Sequence, residues 1–212
     1  MDWEFVARME DVLDLYAEAD DRYCPVVCFD ECPIQLVSEV RQPIAAEPGQ
    51  RRRYDYHYRR EGTANLFIAF CPRQGWRHIT VTDRRTKRDF ALQMKALVDV
   101  HFPQALKVRL VLDNLNIHVA SALYETFAPT EARRILRRLE FHFTPVHASW
   151  LNMVELELAV LSGQCLKRRI GSLQVLRHEI GVWQAERNFQ HATVEWRFTC
   201  EKARLNLRLY PH

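Results

Sequence analysis

Three acidic residues, Asp30, Asp113 and Glu155, stand where a carboxylate needs a reason. Asp30 closes the apolar run Val26–Phe29, Asp113 closes Val108–Leu112, and Glu155 begins an apolar segment after Trp-Leu-Asn-Met-Val. A carboxylate at the end of a buried strand is costly unless it is paired, hydrogen-bonded or bound to a metal. Three such acids predict a pocket for a divalent cation. Hard cations such as Mg²⁺ take oxygen ligands, usually a few carboxylates together with the phosphates of a substrate. The chemistry to expect is therefore at a phosphodiester.

The elements that must hold these acids follow from periodicity. Phe5, Met9, Val12, Leu13 and Tyr16 recur at helical spacing and predict a helix over residues 2–19. Val26–Asp30, Leu66–Phe70 and His78–Val81 read as strands, the last two joined by a turn at Pro72–Gly75. Pro43, Pro48, Gly49 and the Arg/Tyr-rich stretch make 41–63 a loop or an irregular hairpin. Thr86 and Lys87 open a helix reaching to about Phe102, and Val108–Leu112 is a central strand. Helices over Val119–Phe127 and Thr130–Leu139, a strand Phe141–Thr144 and a helical C-terminal third, notably Leu173–Asn188, complete the order. This succession predicts an α/β fold, a ribonuclease-H-like mixed five-stranded sheet flanked by helices. In that arrangement the first and fourth strands lie side by side and bring Asp30 to Asp113. The expected division is a helical lead-in at 1–22, a catalytic domain at 23–190 and a tail at 191–212.

Composition narrows the partners. Net charge is only +3, but of the 30 basic residues 25 are Arg, the cation suited to bidentate phosphate contacts. They cluster at Arg51, Arg52 and Arg53, at Arg59–Arg60, at Arg84 and Arg85, at Arg133–Arg138, and with Lys167 at Arg168 and Arg169. That pattern predicts a nucleic-acid footprint, against the plainer reading of an Arg-rich composition. No apolar run approaches the ~20 residues of a membrane span. The acidic, amphipathic N-terminus lacks the marks of a signal peptide, so a cytoplasmic location is expected. Cys24, Cys28 and Cys32 lack the complete ligand set of a zinc site.

Certain of these segments are also familiar. Phe-Asp-Glu at 29–31, Leu-Asp-Asn-Leu-Asn-Ile-His at 112–118 and Thr-Pro-Val-His-Ala-Ser-Trp-Leu-Asn-Met-Val-Glu at 144–155 resemble the DDE transposases of bacterial insertion sequences, in the mariner-like branch. The likeness extends through 161–170 and Trp196–Thr199. It implies that Asp30, Asp113 and Glu155 hold two Mg²⁺ or Mn²⁺ ions. It implies strand cleavage by water, then attack of the freed 3′-hydroxyl on target DNA without a covalent protein intermediate. It also implies transposon ends and target as partners, a homodimer on DNA and a nucleoid-associated protein. Helix-turn-helix modules that read the ends have no room ahead of Asp30, so a separate polypeptide is expected to supply them.

Several roles stay open at this point. Glu157 rivals Glu155: two positions apart, they lie roughly 200° around a wheel of about 3.6 residues per turn, and the segment is too apolar for the wheel to choose. The Asn-Met-Val-Glu match to the family assigns Glu155. Glu31 should face away from Asp30 on the strand and pair with an Arg, or else reach a metal. Asn114 is either a carboxylate or phosphate ligand or a turn residue, and Asn152 is a supporting residue. His118 and His147 either orient water or phosphate or are structural. Trp150 either stacks on a base or packs. The competing functions are another ribonuclease-H-like nuclease and a non-catalytic remnant that binds DNA.

Overall fold

The computed structural model describes residues 2–42, 44–51, 53 and 55–207. Helix α1 (Trp3–Ala17) starts at Asp2, whose carboxylate caps the free N–H groups of Glu4 and Phe5, and buries Val6, Met9, Val12, Leu13, Leu15 and Tyr16. Strands β1 (Val26–Glu39), β2 (Tyr58–Cys71), β3 (Trp76–Thr82), β4 (Val108–Leu112) and β5 (Leu139–Phe143) form a single sheet in the order β3-β2-β1-β4-β5. β1, β2 and β3 are antiparallel neighbours, whereas β1–β4 and β4–β5 are parallel. The mixed sheet is the one the element order predicts.

The first two strands run much further than their apolar cores. β1 pairs with β4 over Val26–Cys28 and with β2 from Cys28 out to Glu39, so beyond Cys28 it pairs with β2 alone. One open edge is what lets Pro33 sit inside a strand. The first six residues of β2, Tyr58–Thr63, are exposed and polar, so periodicity alone marks only its buried half. Residues between the strands carry isolated bridges Ile44–Arg53 and Glu47–Gln50, an irregular hairpin as expected.

Alternation along the strands divides the core in two. Cys28, Ile68 and Val111 face α1, α5 (Val154–Leu161) and α6 (Leu173–Phe189). Val27, Phe29, Leu110 and Leu112 face α2 (Lys87–Ala96), α3 (Ser121–Thr126) and α4 (Pro129–Leu136). α2 opens with a reciprocal capping box between Thr86 and Asp89 and runs on as a π turn, Leu97–His101. α5 likewise continues into a π turn, Ser162–Leu166, and α7 (Cys200–Asn206) packs against α1. No helix among the described residues is long and apolar enough to cross a membrane.

Candidate functional site

The parallel register of β1 and β4 decides the geometry of the site. Cys28 lies opposite Val111, so two places further along Asp30, still within β1, sits beside Asp113, which directly follows the end of β4; the expectation that Asp30 closes its strand is not met. Alternation puts both on the sheet face that carries α5. Glu155 lies in the first turn of that helix. The helix start is fastened from two sides. Asn152, fully buried, donates from Nδ2 to the carbonyl of Phe29 (2.9 Å), the residue before Asp30. Its own carbonyl accepts the N–H of Glu155 (3.0 Å). From α1, the hydroxyl of Tyr16 donates to the carbonyl of Leu151 (2.9 Å).

The three acids share a field, and among the described residues the one cationic side chain in contact with any of them is His118, on Asp113. Burial, then the charges of Asp113, Glu31 and Glu155, push the Asp30 carboxyl up to about 7 against the opposing hydrogen bond from the Glu31 N–H. None of the three forms an ion pair with Lys or Arg among the described residues. Each aspartate is held by one oxygen only. Asp30 Oδ1 accepts the Glu31 N–H (2.7 Å). Asp113 Oδ1 accepts the Leu115 N–H (3.0 Å) and lies 2.8 Å from His118 Nδ1. The second oxygen of each makes no hydrogen bond among the described residues. The acids stand at electrostatic range from one another, and among the described residues no group of three or more His, Cys, Asp or Glu is drawn together tightly enough to ligate an ion. A hard-oxygen donor set with one free oxygen per aspartate, in which burial and neighbouring carboxylates hold the Asp30 carboxyl high, fits a divalent cation.

Glu157 is excluded from this set by its partners. It is buried against Arg77, whose Nε lies 2.8 Å from Oε1 at an angle poor for a hydrogen bond, and against Arg187, at 3.2 and 3.1 Å. Arg77, with no exposed side-chain surface, also donates to the carbonyls of Gly75 (3.0 Å) and Ala192 (2.6 Å). This is a buried, compensated charge network linking β3, α5 and α6.

Other expected roles are redistributed. Glu31 does face away from Asp30, but its partner is His118 rather than an Arg: Nε2 lies 2.8 Å from Oε1, and the two side chains are almost wholly buried. His118 is thus not free to hold water or phosphate; its ring packs on Phe29 and Phe90. Burial lowers its proton affinity, but Asp113 and Glu31 outweigh that and raise its pKa to about 9. For Asp113 burial works upward, and His118 with the Leu115 N–H outweighs it, keeping the carboxyl below its ordinary value. Asn114 accepts a bond from Arg8 and donates to the carbonyl of Thr144 (2.6 Å). His147 is exposed, with left-handed backbone at φ 64°, on a cavity of about 260 Å³ that includes Asp113, Asn114 and Ser149. A larger cavity of about 430 Å³, between Tyr16, Arg73 and Trp196, is lined by none of the three acids. Trp150 packs edge-on against Phe198.

The basic clusters divide in the same way. Arg84 and Arg85 are exposed and unpaired among the described residues, and Arg85 lies within electrostatic reach of Asp113. Arg51, Arg53 and Lys167 are exposed; Arg52 lies outside the described residues. Arg168 pairs with Glu179. Arg169 pairs with Glu39 and donates to the carbonyls of Asp55 (2.7 Å) and His57 (3.1 Å). These last two cations are bound internally, which the sequence run Lys-Arg-Arg does not reveal.

A family model described as DDE superfamily endonuclease matches residues 25–177. Among solved structures, a pre-cleavage Mos1 transpososome superposes with a TM-score of 0.61 at 15% identity, over 100% of this chain and 65% of that one. The Mos1 mariner paired-end complex with Mn gives 0.59 at 17%, over 91% and 59%, and the Mos1 strand transfer complex 0.60 at 16%, over 90% and 57%. At such identities the likeness establishes the fold, a ribonuclease-H-like sheet flanked by helices. The chain spans less than two thirds of the length of those proteins. Comparison with curated proteins gives no match.

Proposed function

Because the chain belongs to the DDE superfamily endonuclease family, we propose that it is the catalytic domain of a mariner-like transposase, cleaving DNA strands and joining freed 3′ ends to target DNA. The observation that carries this reading is that Asp30, Asp113 and Glu155 lie within electrostatic reach of one another with no Lys or Arg ion pair to any of them among the described residues. In this reading the free oxygens of Asp30 and Asp113, with the Glu155 carboxylate, hold two Mg²⁺ or Mn²⁺ ions. Such ions, when bound, generate a nucleophile near neutral pH and stabilise the attacking and leaving oxygens of an in-line displacement. The β1 and β4 backbones and the fastened start of α5 fix the acids, so catalysis is positioning and electrostatics. Unpaired Arg84 and Arg85 bind phosphates flanking the scissile bond. The partners are transposon ends and target DNA, engaged by a homodimer.

Incubation of the purified chain with supercoiled plasmid and Mn²⁺ tests the reading. Wild type nicks the plasmid, and Asp113→Asn does not; nicking by both at one rate would sink it.

A further inference from the structure

A buried imidazole between two acids is not explained by holding the fold together alone. His118 has no exposed side-chain surface, and its two nitrogens each meet a carboxylate at 2.8 Å, Nδ1 on Asp113 Oδ1 and Nε2 on Glu31 Oε1. Glu31 faces the opposite side of the sheet from Asp30, so the bridge passes around the end of β4 from one core to the other. The ring is clamped there by Phe29 and Phe90, with centroids at 5.9 and 4.9 Å. It therefore cannot follow Asp113 if that side chain rotates. Asp113 is half-buried at a strand end, on a peptide that leaves the sheet immediately, and besides the imidazole only the Leu115 N–H (3.0 Å) holds its carboxylate among the described residues. A further observation is that Glu31 Oε2 is buried without a partner. An unsatisfied buried carboxylate oxygen costs stability, and it persists only where some other requirement fixes the group.

We infer that Glu31 and His118 form a positioning relay: the clamped imidazole occupies Oδ1 of Asp113 and leaves Oδ2 facing Asp30 and Glu155. Neither residue touches DNA or an ion. The inference rests on Asp113 being a metal ligand, the reading proposed above. Partners behind a ligating group commonly set metal affinity by about 10- to 100-fold, because they fix the ligand's orientation.

Two substitutions separate the two bonds. Asn at 118 carries its NH₂ near the place of Nδ1 and keeps the donor to Asp113; Gln carries it near Nε2 and keeps only the link to Glu31. Mn²⁺ binding to the full chain, followed by the loss of the free-ion EPR signal, is measured beside circular dichroism as the check on folding. His118→Gln should raise the half-saturating Mn²⁺ concentration about tenfold and His118→Asn by less than about threefold. Equal effects, or the reverse order, overturn the relay, since a purely structural histidine gives no reason for Asn to be the better replacement. Should both variants unfold, His118→Leu/Glu31→Leu removes both buried polar groups together, and wild-type Mn²⁺ binding by that folded protein overturns the relay as well. An Asp113→Ala control distinguishes the two levels. If it binds Mn²⁺ as wild type does, the metal-ligand reading has failed, and the relay has lost its premise.

Discussion

Glu155 and Glu157 are two residues apart on one helix and live in opposite electrostatic worlds. Glu157 points into the interior and is wrapped by Arg77 and Arg187, with Asn188 in turn accepting the Arg77 N–H (2.8 Å). Glu155 lies within electrostatic reach of Asp30 and forms no ion pair among the described residues. A buried charge with its partners in place is architecture: removing one member strands the other. A half-buried charge facing like charges costs stability in the free protein and makes sense as a site for a cation. The lesson is that compensation, more than burial or motif, separates working from structural charges in this molecule.

Exchanging the two glutamates one at a time should break that comparison most visibly. Glu155→Gln should abolish plasmid nicking, a loss of at least about 10³-fold if the carboxylate holds an ion in a site of this type, while leaving the thermal midpoint unchanged or slightly raised. Glu157→Gln should do the opposite. It leaves Arg77 buried without its counter-charge, at a cost of about 3–5 kcal/mol. For a domain of this size that lowers the midpoint by roughly 6–20 °C, with nicking retained where the protein is folded. Calorimetry and a nicking assay on both variants read the two effects; a Glu157→Gln protein that is stable but inactive would reverse the assignment.

Titration sharpens the same contrast. Because Asp30 has a folded-state pKa of about 7, well above its ordinary value, the unfolded chain gives up that proton first as pH rises. Between about pH 4 and 7 the folded state therefore binds more protons than the unfolded one, and stability falls with rising pH. The Asp30 share of that fall is on the order of 3 kcal/mol. Asp30→Asn should remove the slope and gain stability over wild type above pH 7 but not at pH 4, in metal-free buffer. A parallel pair of curves would show that Asp30 is not the group responsible.

The smallest effect belongs to the cations. Arg84 and Arg85 are unpaired, whereas Arg169 is held by Glu39 and two carbonyls. Arg84→Ala/Arg85→Ala should weaken DNA binding a few-fold and reduce the slope of log K against log salt by about two. Arg169→Ala should leave the slope alone and loosen the base of the β1–β2 hairpin. Binding isotherms at several salt concentrations distinguish the two.

Much of this was legible in the chain. Apolar runs ahead of Asp30 and Asp113 mark β4 and the buried start of β1, because an apolar run stops where a carboxylate meets the edge of a core; β1 itself runs on past Asp30 to Glu39. Thr86 with Asp89 marks the start of α2, because a capping box satisfies local backbone groups and needs no tertiary context. The polar halves of β1 and β2 were not legible, since cross-strand hydrogen bonds hold them and no buried face marks them in the sequence.

What the sequence by itself determined is therefore the order of elements, the placing of two acids where apolar runs end, and the helix that carries the third. Local spacing and the hydrophobic period decide those. Only the tertiary structure decided which charges meet. The parallel register of β1 and β4 sets Asp30 beside Asp113, the turn after β4 folds His118 back onto Glu31, and α5 lays Glu157 against Arg77 while Glu155 faces the site. Pairing of that kind joins residues far apart in the chain, and its free energy depends on distance and desolvation, quantities that exist only once the chain has folded.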